Sequence, residues 1–193
     1  MNTLLKICGV KEPEFAREAE HLGFDLLGFI FHAPSPRNIS VEKAKEIRGQ
    51  VKCRTVGVFV NQEEKEIRRI AETVGLDVIQ LHGAPDAELA RNLRNGYEVW
   101  QAVSGECPAD FPADAFLVDS PAPGSGRQSD WRLAERWIAE GRRVVLAGGL
   151  SAKNGKEALK FEPYALDFNS SLETEPGKKS IGKLQFLYRS LKK

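Results

Sequence analysis

The chain has 193 residues, and its 41% hydrophobic and 28% charged residues are ordinary for a soluble globular protein. The 28 basic and 27 acidic side chains leave a net charge of +1, which argues against nucleic acid or a membrane surface as a partner. Three cysteines without a CxxC pair argue against structural zinc and against a disulfide scaffold. No apolar run is long enough for a membrane span or a secretory signal, so we expect a cytoplasmic protein.

Short apolar runs alternate with amphipathic, charged segments. The runs predict eight strands, at 4–8, 26–31, 54–60, 78–82, 98–103, 115–119, 144–148 and 165–169. The charged segments predict helices at 12–22, 40–49, 62–74, 85–95, 129–140, 152–160 and 180–191. Ser40 and Asn61 are expected to cap the second and third of these helices. Strands joined by single helices indicate a parallel sheet, and eight such units predict an α/β fold, one compact (β/α)8 TIM-barrel domain spanning 1–193.

The interval between the fifth and sixth strands breaks this alternation. Residues 104–114, "SGECPADFPAD", contain Pro108 and Pro112 and have no helical periodicity. The fifth helix is therefore predicted to be missing or reduced to a turn. That agrees with a chain slightly shorter than the usual barrel, whose length starts at roughly 200 residues.

Polar residues occur on the inner face of several predicted strands. Lys6 and Cys8 alternate with Leu5 and Ile7, so the first pair shares one face. The same alternation directs a further set inward, namely Gln80, His82, Asp119, Asp167 and Asn169. Four of these inward residues end their strands, at the rim where barrel enzymes build active sites, namely Cys8, His82, Asp119 and Asn169.

Each polar residue also has a purely structural interpretation. A buried cysteine often packs as a small hydrophobic side chain, and an aspartate at a strand end often caps the next loop. A histidine there is often held by ordinary hydrogen bonds. Lys6 and Asp167 could simply pair with each other, since buried charges need partners. None of these interpretations explains why four such residues share one rim.

Glycines add a candidate anion site. Gly148 and Gly149 end the seventh strand, and Ser170 follows the eighth. The loops after these two strands commonly bind phosphate in barrel enzymes, through backbone N–H groups. The glycine-rich stretch 122–128, "APGSGRQ", is either a third loop facing the anion or a flexible connection.

The chain resembles the phosphoribosylanthranilate isomerases of tryptophan biosynthesis over nearly its whole length. The motifs that carry the resemblance are "KICG" (6–9), "SPRNIS" (35–40), "IQLHG" (79–83), "FLVDS" (116–120), "GSGRQSDW" (124–131), "LAGGL" (146–150), "ALDFNSSLE" (165–173) and "PGKK" (176–179). The resemblance implies an Amadori rearrangement of N-(5′-phosphoribosyl)anthranilate to 1-(2-carboxyphenylamino)-1-deoxyribulose 5-phosphate. It implies no cofactor and no metal, a small phosphorylated substrate as partner, and a monomer or homodimer.

The resemblance also assigns roles by position. Cys8 would be the general base that removes the C2′ proton of the ring-opened Schiff base, and Asp119 the general acid that protonates the ring oxygen. Arg37 would hold the anthranilate carboxylate. The other substrate contacts implied are His82, Gly148, Gly149, Asp167 and Ser170, the glycines and Ser170 being on the phosphate. Lys6 is a possible source of the positive charge that a thiolate needs.

The eighth-strand motif departs from the family pattern, which usually reads Asp-x-Ser-Ser-Gly-x-Glu. Asn169 stands where serine is usual, and Ser171 where glycine is usual. Serine adopts a positive φ less readily than glycine, so we expect a shifted loop or weaker phosphate binding.

Three other functions stay open at this point. A non-catalytic barrel could bind a phosphorylated ligand or a protein, although it would not need a base, an acid and Arg37 together. A related sugar-phosphate isomerase, such as one acting on the histidine-pathway aminoaldose, usually employs two aspartates where this chain has Cys8 and Asp119. A redox role for Cys8 lacks a resolving cysteine nearby in sequence.

Overall fold

The computed structural model describes residues 3–108, 110–119 and 131–192. Eight parallel strands pair in chain order and close into a barrel. The strands are β1 Leu4–Cys8, β2 Leu26–Phe31, β3 Arg54–Val60, β4 Val78–His82, β5 Glu98–Val103, β6 Ala115–Val118, β7 Val144–Leu146 and β8 Ala165–Phe168. The helices are α1 Pro13–Leu22, α2 Val41–Arg48, α3 Glu64–Val74, α4 Ala87–Leu93, α5 Trp131–Ala139, α6 Gly155–Leu159 and α7 Ile181–Lys192. The predicted barrel is confirmed.

The predicted and observed strand bounds differ only in the last third of the barrel. The first five strands have the predicted bounds, whereas β6, β7 and β8 end one or two residues early. The residues left outside the ladder are Asp119, Ala147, Gly148 and Asn169. All four lie at the C-terminal rim of the barrel.

No helix lies between β5 and β6 among the described residues of 104–114, as the prolines predicted. Turns replace it, and Phe111 covers the gap by packing edge-on against Phe116, with ring centroids 6.4 Å apart. Strand β6 nevertheless pairs along its length with β5 and with β7. The missing helix therefore does not release the strand that carries Asp119.

The two predicted caps have different outcomes. Ser40 Oγ accepts the N–H of Lys43 at 3.2 Å, as expected. Asn61 does not cap α3, because that helix begins at Glu64 after Glu63, and Asn61 itself takes a φ of 53°. Its side chain lies instead against Gly83, where an added Cβ would be 2.1 Å from Asn61 Oδ1.

An apolar core fills the lower half of the barrel. It is built from Leu26, Val56, Val78, Trp100, Ala102, Ala115, Leu117, Val145, Ala147 and Ala165. The fully buried Trp100 is the largest of these side chains. Leu117 and Ala147 form part of both this core and the floor of the cavity above it, so that cavity lies at the C-terminal rim.

Beyond β8 the chain builds a small accessory hairpin. A 3-10 helix, Ser170–Leu172, leads into antiparallel strands β9 Glu173–Glu175 and β10 Lys178–Lys179. This hairpin lies next to the rim and was not predicted. Within the described residues, no helix has both the length and the apolar character needed to cross a bilayer.

Candidate active site

A cavity of about 480 Å³ lies at the C-terminal ends of the strands. Its lining includes all eight side chains or glycines predicted for the site, namely Cys8, Arg37, His82, Asp119, Gly148, Gly149, Asp167 and Ser170. They come from six strands or the loops that follow them. The barrel thus gathers residues that lie up to 162 positions apart in the sequence.

Cys8 is fixed on the inner face of β1. Its side chain is buried and packs against Ile30 and Val58. On β2 the facing residue is Gly28, where an added Cβ would lie 3.1 Å from Cys8 Sγ, closer than such contacts normally allow. The glycine therefore leaves the room that the thiol occupies.

Lys6 and Asp167 pair below the thiol. The Lys6 Nζ to Asp167 Oδ2 distance is 2.6 Å, and the lysine is fully buried. The other carboxylate oxygen, Asp167 Oδ1, is buried without a hydrogen-bond partner among the described residues, although Asp167 lines the cavity. The pair is therefore a structural ion pair in which one carboxylate oxygen has no partner in the described chain.

The charge around Cys8 differs from the simple expectation of a lysine-stabilised thiolate. Burial raises the pKa of the Cys8 thiol, and the positive charge of Lys6 lowers it only in part because Asp167 raises it again. Burial alone would lower the pKa of Lys6, but attraction to Asp167 and Cys8 outweighs it and the pKa is raised. The ammonium is thus firmly protonated, and much of its charge is neutralised by Asp167.

Asp119 follows β6 directly and lines the same cavity as Cys8. Its N–H donates to the carbonyl oxygen of Val103 at 3.0 Å, which anchors its backbone to β5. The side chain is half-buried. The predicted anion-facing loop 122–128 lies outside the described residues.

Arg37 is buried at the edge of the cavity and is held by a residue that the sequence did not point to. Its Nε donates to Glu173 Oε1 and its Nη2 to Glu173 Oε2, both at 2.8 Å. Lys179 Nζ donates to the same Oε1 at 3.0 Å. Burial alone would raise the pKa of Glu173, but the two cations outweigh it and hold the pKa at about 2.

His82 ends β4 and contacts Gln80 on the same inner face, with 2.7 Å between Gln80 Nε2 and His82 Nε2. Burial, Lys6 and His32 together lower the pKa of His82 to about 4. The imidazole is therefore neutral at pH 7. A neutral ring can donate a hydrogen bond to a ligand without adding a charge.

The loops after β7 and β8 contribute Gly148, Gly149 and Ser170 to the lining of the cavity. Gly148 and Gly149 have φ values of 75° and 67°, a left-handed conformation that favours glycine at both positions. Asn154 fixes this turn, because its amide donates to the Gly149 carbonyl at 3.1 Å and accepts from the Ser151 N–H at 2.8 Å. The N–H groups of Gly148, Gly149 and Ser170 donate no backbone hydrogen bond within the described part of the chain.

Known proteins resemble this chain in sequence and in fold. The sequence model of the family described as N-(5'phosphoribosyl)anthranilate (PRA) isomerase matches residues 5–189. The chain belongs to that family. An N-(5'-phosphoribosyl)anthranilate isomerase of Listeria monocytogenes is 38% identical over an alignment of 202 positions that covers 98% of each chain.

Solved structures agree with the family assignment. The phosphoribosyl anthranilate isomerase of Thermus thermophilus superposes with a TM-score of 0.93 at 40% identity, covering 98% of both chains. A phosphoribosyl anthranilate isomerase in complex with reduced 1-(o-carboxyphenylamino)-1-deoxyribulose 5-phosphate has a TM-score of 0.86 at 32% identity, with the same coverage.

Within this isomerase family the departure at Ser171 has a different consequence from the one expected. Ser171 lies in the 3-10 helix, and the only described non-glycine residues with positive φ are Asn61 and Glu162. The serine is therefore accommodated without left-handed strain, and a shifted loop or weaker phosphate binding stays a prediction. The cost appears elsewhere, because Ser171 Oγ is buried with no hydrogen-bond partner among the described residues.

Proposed function

We propose that this protein is a phosphoribosylanthranilate isomerase that converts N-(5′-phosphoribosyl)anthranilate to 1-(2-carboxyphenylamino)-1-deoxyribulose 5-phosphate. The observation that carries the proposal is the shared cavity, which brings Cys8, Asp119 and Arg37 together with the backbone N–H groups of the phosphate loops. A base, an acid, a cation for a carboxylate and an anion site are the four parts that this substrate requires.

Binding uses the two charged ends of the substrate. The phosphate is placed at Gly148, Gly149 and Ser170, whose N–H groups have no backbone partner in the described chain. The anthranilate carboxylate is placed on Arg37 Nη1, the guanidinium nitrogen that Glu173 leaves available. These two contacts fix the ribose between Cys8 and Asp119.

Ring opening comes first. Asp119 gives its proton to the ribose ring oxygen as the C1′–O bond breaks, and the nitrogen lone pair forms the C1′=N bond of a protonated Schiff base. A carboxylic acid has to remain protonated near neutral pH to do this, so the substrate and the enclosed cavity must favour its neutral form.

Proton abstraction follows. The Cys8 thiolate removes the proton from C2′, and the released electron pair forms the C1′=C2′ double bond while the nitrogen becomes neutral. The enolamine then gains a proton at C1′ and loses its C2′ hydroxyl proton, which gives the ketone. Because burial raises the pKa of Cys8, the thiolate is favoured chiefly when the positively charged Schiff base is beside it.

Asp167 and His82 complete the substrate contacts. Asp167 Oδ1 is an acceptor for a ribose hydroxyl, since its other oxygen is occupied by Lys6. Neutral His82 is a hydrogen-bonding group that adds no positive charge near the Schiff base. The ligand bound in the relative's crystal structure, reduced 1-(o-carboxyphenylamino)-1-deoxyribulose 5-phosphate, has the hydroxyl, phosphate and aromatic carboxylate groups that these contacts would bind.

The proposal is tested by assaying the purified protein with substrate formed in situ from anthranilate, following the fluorescence of the anthranilate conjugate. Cys8→Ser should lower kcat at least ~10²-fold, because a hydroxyl is a far weaker base than a thiolate. Cys53→Ser is the matched control, since Cys53 lies just before β3 at the opposite end of the barrel and should be silent. A wild-type protein without activity, or a Cys8→Ser variant with normal turnover, would overturn the assignment.

A further inference from the structure

The segment 170–179 carries the motif "PGKK", which none of the catalytic steps uses. Its turn packs directly against the loop that bears Arg37. Gly177 has a φ of 84°, and an added Cβ would lie 2.3 Å from the carbonyl oxygen of Pro36. The same oxygen accepts a hydrogen bond from Lys11 Nζ at 3.0 Å. Glycine at this position is therefore what allows the hairpin to seat against the residue before Arg37.

Lys179 connects this hairpin to the loop after β8. Its Nζ donates to the Asn169 carbonyl at 2.9 Å, to Asn169 Oδ1 at 2.8 Å and to Glu173 Oε1 at 3.0 Å. The side chain is 2% exposed. Because an ammonium has three protons and all three are engaged, Lys179 has none left for a substrate.

Glu173 connects the same lysine to Arg37. The carboxylate engages Arg37 through two parallel hydrogen bonds at Nε and Nη2, a geometry that fixes the plane of the guanidinium as well as its position. A continuous buried chain therefore runs from Arg37 through Glu173 and Lys179 to Asn169, the residue before Ser170.

This cluster is poorly explained as a stabilising device. Buried ion pairs lose as much in desolvation as they gain in attraction, and well-packed apolar residues often stabilise equally well. The gain from such a network is fixed geometry at a site whose two anchor points must stay at one separation. Arg37 and Ser170 are those two anchor points.

We propose that Glu173 and Lys179 are positioning residues that hold Arg37 against the phosphate loop, and so set the selectivity for substrates that carry both a carboxylate and a phosphate. The inference rests on the proposed function, because it uses Arg37 as the carboxylate contact. Neither Glu173 nor Lys179 lines the cavity, so both act through other residues.

The first test compares the inner and outer faces of the hairpin. Glu173→Gln and Lys179→Met should each raise the KM for the phosphoribosylanthranilate substrate about tenfold while kcat stays within about threefold, since binding of ground and transition states is lost equally. Glu175→Gln and Lys178→Met are the matched controls, because these residues pair with each other at 3.2 Å on the exposed face. The controls should keep the wild-type KM.

The second test asks whether Glu173 acts through Arg37. In a double-mutant cycle, Glu173→Gln should add no further increase in KM once Arg37→Ala is present, because residues that act as one unit are not additive. A full additional increase in that background would overturn the proposal, since it would place Glu173 in a separate structural role.

Folding is monitored alongside by thermal unfolding of every variant. If Glu173→Gln does not fold, Gly177→Ala provides a second route, because the added methyl group pushes the turn away from Pro36 and should raise KM in the same way. Hairpin variants that fold with an unchanged KM in an active enzyme would refute the positioning role alone. An inactive wild-type protein would instead refute the isomerase function.

Discussion

The two ends of the barrel treat their polar groups in opposite ways. At the N-terminal end, an aspartate stands one residue before each of three even-numbered strands, and its carboxylate accepts an N–H of the preceding strand. The pairs are Asp25 with Leu5 at 2.8 Å, Asp77 with Thr55 at 2.7 Å and Asp114 with Val99 at 2.8 Å. Each aspartate also donates its own N–H back to the same residue. Both partners are satisfied within the protein.

The C-terminal end leaves polar groups unpaired. Among the described residues, Asp167 Oδ1 and Gln80 Oε1 are buried without hydrogen bonds, and three loop N–H groups have no backbone acceptor. Each such group, when buried, lowers the free energy of unfolding by on the order of 1–3 kcal/mol. We propose that the difference between the ends separates groups that stabilise the fold from groups that a substrate would engage.

The sharpest way to test this comparison is to change a rim residue without changing its size. Asp119→Asn should lower turnover by about 10³-fold or more, because the amide keeps the volume and the hydrogen bonds but has no proton to give at neutral pH. The fluorescence assay measures the loss, and circular dichroism should show a native fold.

A purely structural Asp119 would give a different result. If the side chain only caps its loop, asparagine is an equally good cap and activity should stay within a few-fold of wild type. Near-normal turnover of Asp119→Asn would therefore remove the acid from the mechanism.

The second test uses the pH dependence of stability. His82 has a pKa of about 4 in the folded protein against 6.5 ordinarily, so the unfolded chain binds a proton between these values that the folded chain refuses. The free energy of unfolding should therefore fall as the pH drops from 6.5 to 4.

His82→Gln should remove roughly 2–3 kcal/mol of that fall, which urea titrations at several pH values would measure. His21, an exposed histidine at the end of α1, is the matched control for the same substitution. An identical pH dependence in His82→Gln and wild type would contradict the neutral imidazole.

The third test is made at the opposite end. Asp114→Ala removes the acceptor of the Val99 N–H and the partner of Arg94, which donates to Asp114 Oδ1 at 2.7 Å. The free energy of unfolding should fall by about 1–3 kcal/mol, with kcat/KM unchanged. Asp110→Ala, at an exposed position of the same connection, should leave both unchanged. A large loss of kcat/KM in folded Asp114→Ala would break the separation between the two ends.

How much of the structure could be predicted from the sequence depends on how far apart in the chain the interacting residues lie. Alternation along single strands was enough to place Cys8, His82, Asp119 and Asp167 on the inner face, because side-chain direction in a strand is a local property. The prediction that Asn61 caps α3 was wrong because its side chain lies against Gly83. That contact joins the loops that follow two adjacent strands, β3 and β4. Tertiary contact overrode a sound local pattern there.

The partner of Arg37 lay beyond any local pattern. Glu173 and Arg37 are 136 residues apart, and the hairpin that brings them together has strands of only three and two residues. Such short strands carry no recognisable alternation. The aspartates at the N-terminal end were visible as a repeat in "FDLL", "LDVI" and "DAFL", but their role became clear only from the pairing of adjacent strands.

The smallest expected effect concerns an unpaired group that does not face the cavity. Ser171 Oγ is buried without a hydrogen-bond partner among the described residues, yet Ser171 is not among the residues lining the cavity, unlike its neighbour Ser170. Ser171→Ala should therefore raise the free energy of unfolding by up to ~1 kcal/mol, because it removes a polar group that is desolvated without compensation. The KM for the substrate should not change. Ser104→Ala, at an exposed position, should change neither quantity. If Ser171→Ala instead raised the KM, its hydroxyl would belong with the groups kept available for the phosphate, and the unpaired region of the rim would extend one residue further into the 3-10 helix.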